Sequence, residues 1–198
     1  MMIEQDQIRL TPEFQLGKML MSHTGEWTLD EFETIPTEVS VELHDGNLIM
    51  TPSAMPEHMY ASGELVLLFR ETVKHRPQVN MGVDVYCGCD SRCIRKPDLL
   101  ILREPQHGRP IPSANLLLVG EVVSPGSRDE WGDKMRDYAD GGIEWYLIVQ
   151  ETPAGFRGEL HRLDESGKYR LVVEAEPAGE LKLPEPFELD INLRELSY

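Results

Sequence analysis

Residues 116–131, LLLVGEVVSPGSRDEW, are the most informative segment of the chain about its fold. Six of its first eight residues are large and apolar, which predicts a strand buried on both faces. One carboxylate, Glu121, interrupts this run. Ser127 and Glu130 then form a capping-box pattern that predicts a helix over about residues 128–140. The sequence therefore places a charged group inside a buried strand, directly before a helix.

The remaining elements are mainly strands. Asp45-Gly46 between two alternating segments is typical of a tight hairpin, and Asp164–Gly167 indicates a second hairpin. Residues 1–26 lack clear periodicity and are predicted to be a loosely ordered extension. Helices are predicted at 29–35, 57–75 and 128–140, and strands at 39–44, 47–50, 79–86, 94–102, 116–123, 144–149, 156–163, 168–175 and 187–191. This order predicts an α/β (α+β) protein with a sheet flanked by helices and extra β-hairpins.

Composition narrows the class of protein. The chain has 198 residues, of which 40% are hydrophobic and 27% charged, as expected for one globular domain. No apolar run is long enough to span a membrane, and no signal peptide is recognised, so a cytoplasmic location is expected. The net charge of −16 argues against tight, unaided binding of nucleic acid, because such binding depends on Lys and Arg.

Three carboxylates occupy positions at or inside apolar strand segments: Glu42, Asp98 and Glu121. Burying an unpaired carboxylate costs several kcal/mol, so such groups are usually paired, neutralised or bound to a metal. Asp98 and Glu121 are the natural pair for a Mg²⁺ (or Mn²⁺) ion, with Glu42 as a further ligand or support. The alternative is that they are strand-end charges or structural ion pairs.

Lys134 is the candidate cation for this site. Its position is three residues after Trp131 and four before Tyr138 on the predicted helix, which places it on or beside the inward face. The ammonium of Lys134 could then reach Glu121. A lysine at the border of a helix that extends its charge to solvent explains the spacing equally well.

The three cysteines lie together in YCGCDSRC, as Cys87, Cys89 and Cys93. An odd number without a signal peptide argues against a disulfide framework. The three thiolates could bind zinc if a histidine joined them. The alternative is a cysteine-rich hairpin turn without a metal.

Several segments occur in an order that resembles the Uma-two family, which is classed with the restriction endonucleases of the PD-(D/E)xK superfamily. They are VELHDGNLIM, SAMPEH, KPDLLIL and GEVVSPGSRDEWGDKMRDYADGGIEWYLIV, within about residues 27–150. Pro97-Asp98 resembles the first half of the motif and Glu121 the acidic residue of the second half. Position 123, where many such nucleases have lysine, is Val123, and Lys134 matches the family's displaced lysine. Glu42, His58 and Tyr138 match further family positions, whereas Val41 and the cysteine-rich turn depart from its pattern.

The resemblance implies a restriction-endonuclease-like core with a central mixed sheet flanked by helices. It implies a nuclease-like domain over 27–198, with a core at 27–150, a C-terminal hairpin and strand at 151–198, and the extension 1–26. Asp98, Glu121 and the Val122 carbonyl are expected to hold Mg²⁺ or Mn²⁺, and Lys134 is expected to orient or help deprotonate the attacking water. Glu42 would assist, and His58 and Tyr138 are secondary candidates.

DNA is the expected substrate of that core, and a homodimer is expected. Dimerisation could gather basic residues around a cleft; the candidates are Arg92, Arg95, Lys96 and Arg128. The acidic net charge favours an alternative, a non-catalytic dimeric binding or regulatory module that keeps the nuclease fold.

Overall fold

The computed structural model describes residues 11–50, 54–72, 78–88, 92–125 and 128–198. The helices are α1 (Pro12–Ser22), α2 (Leu29–Glu33), α3 (Pro56–Thr72) and α4 (Arg128–Asp140). The strands are β1 (Val41–His44), β2 (Asn47–Met50), β3 (Val79–Asn80), β4 (Val85–Tyr86), β5 (Ile94–Arg95), β6 (Leu99–Leu102), β7 (Ile111–Pro112), β8 (Leu116–Val123), β9 (Trp145–Thr152), β10 (Gly155–Leu163), β11 (Tyr169–Ala175), β12 (Glu180–Leu183) and β13 (Leu189–Asn192). Short 3₁₀ turns precede β8 and follow β13.

The described strands form a central six-stranded sheet and two smaller sheets. The central order is β11-β10-β9-β8-β6-β3, with β8 and β9 parallel and the other pairs antiparallel. A five-stranded sheet has the order β2-β1-β5-β4-β7, and β12 pairs with β13. The parallel pair requires a crossover, which α4 supplies. The predicted mixed sheet with flanking helices is confirmed.

Strand β8 is buried on both faces because each face packs against a different layer. Leu118 and Val122 belong to the same apolar cluster as the buried side of α3, including Leu65 and Phe69. Val119 and Val123, whose side chains point to the other face of the strand, pack in a second cluster with side chains of α4 and β9. The alternation of period two along the strand separates these two sets. Glu121 has the parity of the second set and therefore faces α4.

Elements predicted from local signals are confirmed. Thr28 and Glu31 form the reciprocal capping box of α2. Asp45 and Gly46 both have positive φ, 46° and 75°, as the tight turn between β1 and β2 requires. Helix α4 ends before Gly142, whose φ is 70°. The predicted cap at Ser127 lies outside the described residues.

Two predicted strands are wrong as continuous elements. The segment 79–86 divides into β3 and β4, and the segment 94–102 into β5 and β6, so each contributes to both sheets. Gly82, with a φ of 61°, turns the first segment, and Pro97 lacks the N–H that a continuous ladder would use in the second. Asp98 consequently lies at the junction of the two sheets.

The N-terminal segment also differs from expectation. Within the stretch predicted to be loosely ordered, residues 12–22 form α1, whose Leu16 packs in a cluster with Trp27 and Phe32. Thr11 caps the helix and Pro12 occupies its first turn, a local start signal that periodicity alone does not reveal. Among the helices of the described ranges, none has the length and apolar character that crossing a membrane requires.

Candidate nuclease site

Glu121 forms the centre of a buried polar cluster between β8 and α4. Lys134 Nζ lies 2.9 Å from Glu121 Oε2, and the Tyr138 hydroxyl donates to Oε1 at 2.6 Å. Lys134 and Tyr138 are four residues apart, so the helix presents both to the same carboxylate. The interpretation that the lysine turns inward fits the structure, because its side chain is only 18% exposed.

The protonation of this pair follows from its burial. Desolvation raises the pKa of Glu121 to about 7, against the opposing effect of Lys134. Burial alone would lower the pKa of Lys134, but the nearby Glu121 and Glu42 outweigh it, so the pKa of the lysine is raised. Lys134 therefore keeps its proton at neutral pH.

Asp98 is held beside this cluster from two sides. Its Oδ2 accepts the Val122 N–H at 2.8 Å, which ties the start of β6 to the end of β8. Its Oδ1 lies 3.0 Å from His58 Nε2, at the start of α3. That hydrogen bond raises the pKa of His58. Helix α3 thus reaches the site from the face of the sheet opposite α4.

Glu42, on β1, completes the group from the second sheet. Its carboxylate accepts the Lys96 N–H and a bond from Arg95, both at 3.0 Å, and Lys134 Nζ lies 3.5 Å away. The structure therefore brings together the predicted residues Glu42, His58, Asp98, Glu121, Lys134 and Tyr138.

Arg95 and Asp137 are members of the cluster that sequence analysis missed. Arg95 is 3% exposed, and its guanidinium bridges Glu42 to Asp137, with Nη2 2.6 Å from Asp137 Oδ2. Assigning Arg95 to a basic cleft for DNA was therefore wrong. The available signal was the helical spacing of Lys134, Asp137 and Tyr138, which places all three toward the same side of α4.

The donor set suits a divalent cation. Among the described residues, four carboxylates converge here and two permanent cations, Arg95 and Lys134, bond to them; the carboxylates belong to Glu42, Asp98, Glu121 and Asp137. Oxygen donors with excess negative charge are what Mg²⁺ and Mn²⁺ prefer. A hydrogen-bonded carboxylate oxygen retains a second lone pair for a metal.

A second group of ligating side chains lies on the far side of Arg95. Ligand atoms of His44, Cys93 and Asp137 are all within 4.8 Å of one another, close enough to hold a metal ion. Of the cysteines predicted as zinc ligands, Cys87 and Cys93 are buried near each other, and Cys89 lies outside the described residues.

Comparisons with known proteins agree with this architecture. The family model Uma2, described as "Putative restriction endonuclease", matches residues 29–194. A solved structure described as "a putative nuclease belonging to DUF820 from Anabaena variabilis" superposes with a TM-score of 0.64 at 19% identity, covering 85% of this chain and 96% of that chain. This similarity confirms the predicted restriction-endonuclease-like fold. The comparison with curated proteins found no match. Because the family model spans most of the sequence, the chain belongs to the Uma2 family.

Proposed function

We propose that this chain is a metal-dependent endonuclease that hydrolyses phosphodiester bonds in DNA. The observation that carries the proposal is the 2.9 Å contact between Lys134 and Glu121 next to Asp98, since it joins a cation to the carboxylates of a nuclease motif. The description of the Uma2 family model, "Putative restriction endonuclease", supports the same activity.

Asp98 and Glu121 would hold Mg²⁺ or Mn²⁺ together with the Val122 carbonyl, and Glu42 would support the ion or its waters. Asp98 and the Val122 segment are already in contact, through the Val122 N–H at 2.8 Å. Such an ion, when bound, polarises the phosphodiester and lowers the pKa of a coordinated water.

Lys134 would act as a cation that orients the attacking water and stabilises charge developing on the phosphate. That Lys134 also helps to deprotonate this water stays a prediction. Tyr138 would hold Glu121, and His58 would hold Asp98, each through its hydrogen bond to a carboxylate oxygen.

The test is cleavage of supercoiled plasmid in Mg²⁺ or Mn²⁺ by the wild type and by Asp98→Asn, Glu121→Gln and Lys134→Met. Each change is expected to lower the rate by about 100-fold or more, as removal of one charge-stabilising group typically does. Glu180 and Lys182 form a matched exposed ion pair at 3.1 Å. Glu180→Gln and Lys182→Met should cleave like the wild type. Undiminished cleavage by Asp98→Asn and Lys134→Met would reject the assigned site.

The non-catalytic module is a second candidate because all six carboxylate oxygens of Glu42, Asp98 and Glu121 already have a polar partner within the protein. Such a network could be a purely structural one. Calorimetric titration with Mn²⁺ separates the two functions. One Mn²⁺ bound by the wild type and lost in Glu121→Gln contradicts the module, whereas no binding and no cleavage favour it. Sedimentation of the same samples tests the homodimer, which stays a prediction.

A further inference from the structure

A pair of buried cysteines closes the hairpin of β4 and β5. The register pairs Val85 with Arg95 and Tyr86 with Ile94, which brings Cys87 opposite Cys93. The Cys87 N–H donates to the Cys93 carbonyl at 3.1 Å, and the Cys87 thiol donates to the Val85 carbonyl at 3.7 Å. Both are free thiols, exposed by only 1% and 8%. None of the proposed nuclease chemistry uses them.

A histidine and a carboxylate from two other elements lie close to Cys93. His44 ends β1 and Asp137 lies on α4, with His44 Nδ1 3.0 Å from Asp137 Oδ2. The Nδ1 atom is buried, yet it forms no hydrogen bond of acceptable geometry with any residue of the described ranges. A buried imidazole nitrogen close to a thiol and a carboxylate is available for another ligand.

We propose that His44, Cys93 and Asp137 bind one Zn²⁺ ion, with Cys87 as the fourth ligand. Two thiolates, an imidazole and a carboxylate are the ligand types that zinc takes in four-coordinate sites, whereas Mg²⁺ prefers oxygen alone. Bond lengths of about 2.0–2.3 Å place the donor atoms of a tetrahedral zinc site roughly 3.3–3.8 Å apart. The ligand atoms of His44, Cys93 and Asp137 lie from 3.0 Å up to at most 4.8 Å apart, which brackets that range, and Cys87 adjoins them across the hairpin from Cys93.

Arg95 occupies the position of an outer partner of this site. Its Nε and Nη2 lie 2.7 and 2.6 Å from Asp137 Oδ2, and hydrogen bonds to a ligating carboxylate usually orient it toward the metal. The same guanidinium bonds Glu42 of the nuclease site. The zinc ion would therefore fasten α4, which carries Lys134, to β1 and to the β4–β5 hairpin.

The experiment uses the full chain purified without chelator, analysed for bound metal, then stripped and titrated with Zn²⁺ and Co²⁺. One equivalent of either ion is expected to bind. The Co²⁺ complex should show thiolate charge-transfer absorption and the intense visible bands of tetrahedral Co²⁺. Zinc should also raise the midpoint of thermal unfolding, because it binds the folded state.

Cys93→Ser and His44→Asn should each abolish the stoichiometric binding, and circular dichroism checks that both variants are folded. Two controls should keep it: Cys89→Ser, the remaining cysteine, and Asp98→Asn, which tests independence from the nuclease site. Absence of bound zinc in the wild type, a cobalt spectrum without thiolate absorption, or zinc retained in both ligand variants would overturn the proposal. Loss of zinc in Cys89→Ser would overturn this donor set. A Cys87–Cys93 disulfide in the isolated protein would also overturn the proposal, because both thiolates would then be unavailable to zinc.

Discussion

The two faces of β8 differ in chemistry although one strand supplies both. Toward α3, Leu118 and Val122 pack in an apolar cluster that includes Leu65 and Phe69. Toward α4, Glu121 lies among apolar side chains, and Lys134 and Tyr138 bond both of its oxygens. A buried charge is tolerated only where partners are packed against it. The α3 face thus stabilises the sheet by apolar burial. The α4 face contains buried charges, which require bonding partners from other elements.

Arg95→Met should produce the largest loss of stability, because it removes the buried cation that bonds both Glu42 and Asp137 on the polar face. The change leaves Glu42 and Asp137 buried without their guanidinium, and the free energy of unfolding should fall by about 3–5 kcal/mol. Urea denaturation measures this. Arg103→Met is the control, since Arg103 is 43% exposed and pairs with Glu144, so its loss should be below about 1 kcal/mol. Equal losses in the two variants would contradict the difference between buried and exposed pairs.

Leu118→Ala should instead destabilise the protein through the apolar face. Leu118 is fully buried, and its truncation leaves a cavity that should cost about 2–5 kcal/mol in urea denaturation. Mn²⁺ binding by the folded protein should persist, because no polar group of the α4 face is removed. Leu171→Ala is the control, since Leu171 is 49% exposed. Loss of Mn²⁺ binding in folded Leu118→Ala would mean that the two faces are not independent.

Two buried tyrosines allow a finer comparison within the polar face. Tyr138 donates to Glu121, whereas the neighbouring Tyr146 hydroxyl is buried without a hydrogen-bond partner among the described residues. Tyr138→Phe should lower the free energy of unfolding by about 1–3 kcal/mol, because it leaves a buried carboxylate oxygen unpaired. Tyr146→Phe should be neutral or stabilising for the opposite reason. Denaturation of both variants gives the ordering, and a reversed order would refute the assigned bonds.

Replacing Asp164, in the turn between β10 and β11, should give the smallest change in stability. Its carboxylate accepts bonds from Ser166, Lys168 and Arg170, and these lower its pKa, the Ser166 hydroxyl most. A lowered folded-state pKa contributes stability above the unfolded value of about 3.9, and this contribution is lost as the pH falls. Asp164→Asn should therefore reduce stability at neutral pH and converge with the wild type in acid. Thermal unfolding across that pH range tests this, with Glu165→Gln as the reference for removing one negative charge; a difference that is constant with pH would contradict it.

Local signals predicted much of the fold. The apolar run of β8, the capping box of α2 and the Asp45-Gly46 hairpin depend on neighbours in sequence, so each was predictable. The division of 79–86 and 94–102 between two sheets was not, because strand partners far along the chain determine where a short strand pairs.

The residues of the candidate site were likewise predictable only in part. The helical spacing of Lys134 and Tyr138 indicated that both could reach Glu121, and their contacts agree with that interpretation. Cys93 was a candidate zinc ligand, but its neighbours His44 and Asp137 and the burial of Arg95 were not recognised, since these residues come from β1, the β4–β5 hairpin and α4. No spacing within one element connects them.

Sequence patterns were enough to predict a carboxylate in a buried strand and, after it, a helix with one inward lysine. The groups that contact this carboxylate, and the burial of Arg95 between two acidic residues, depend on tertiary contacts that sequence patterns do not contain. The physical reason is that hydrophobic periodicity specifies which face of an element is buried, whereas the pairing of buried charges depends on which distant elements pack against that face.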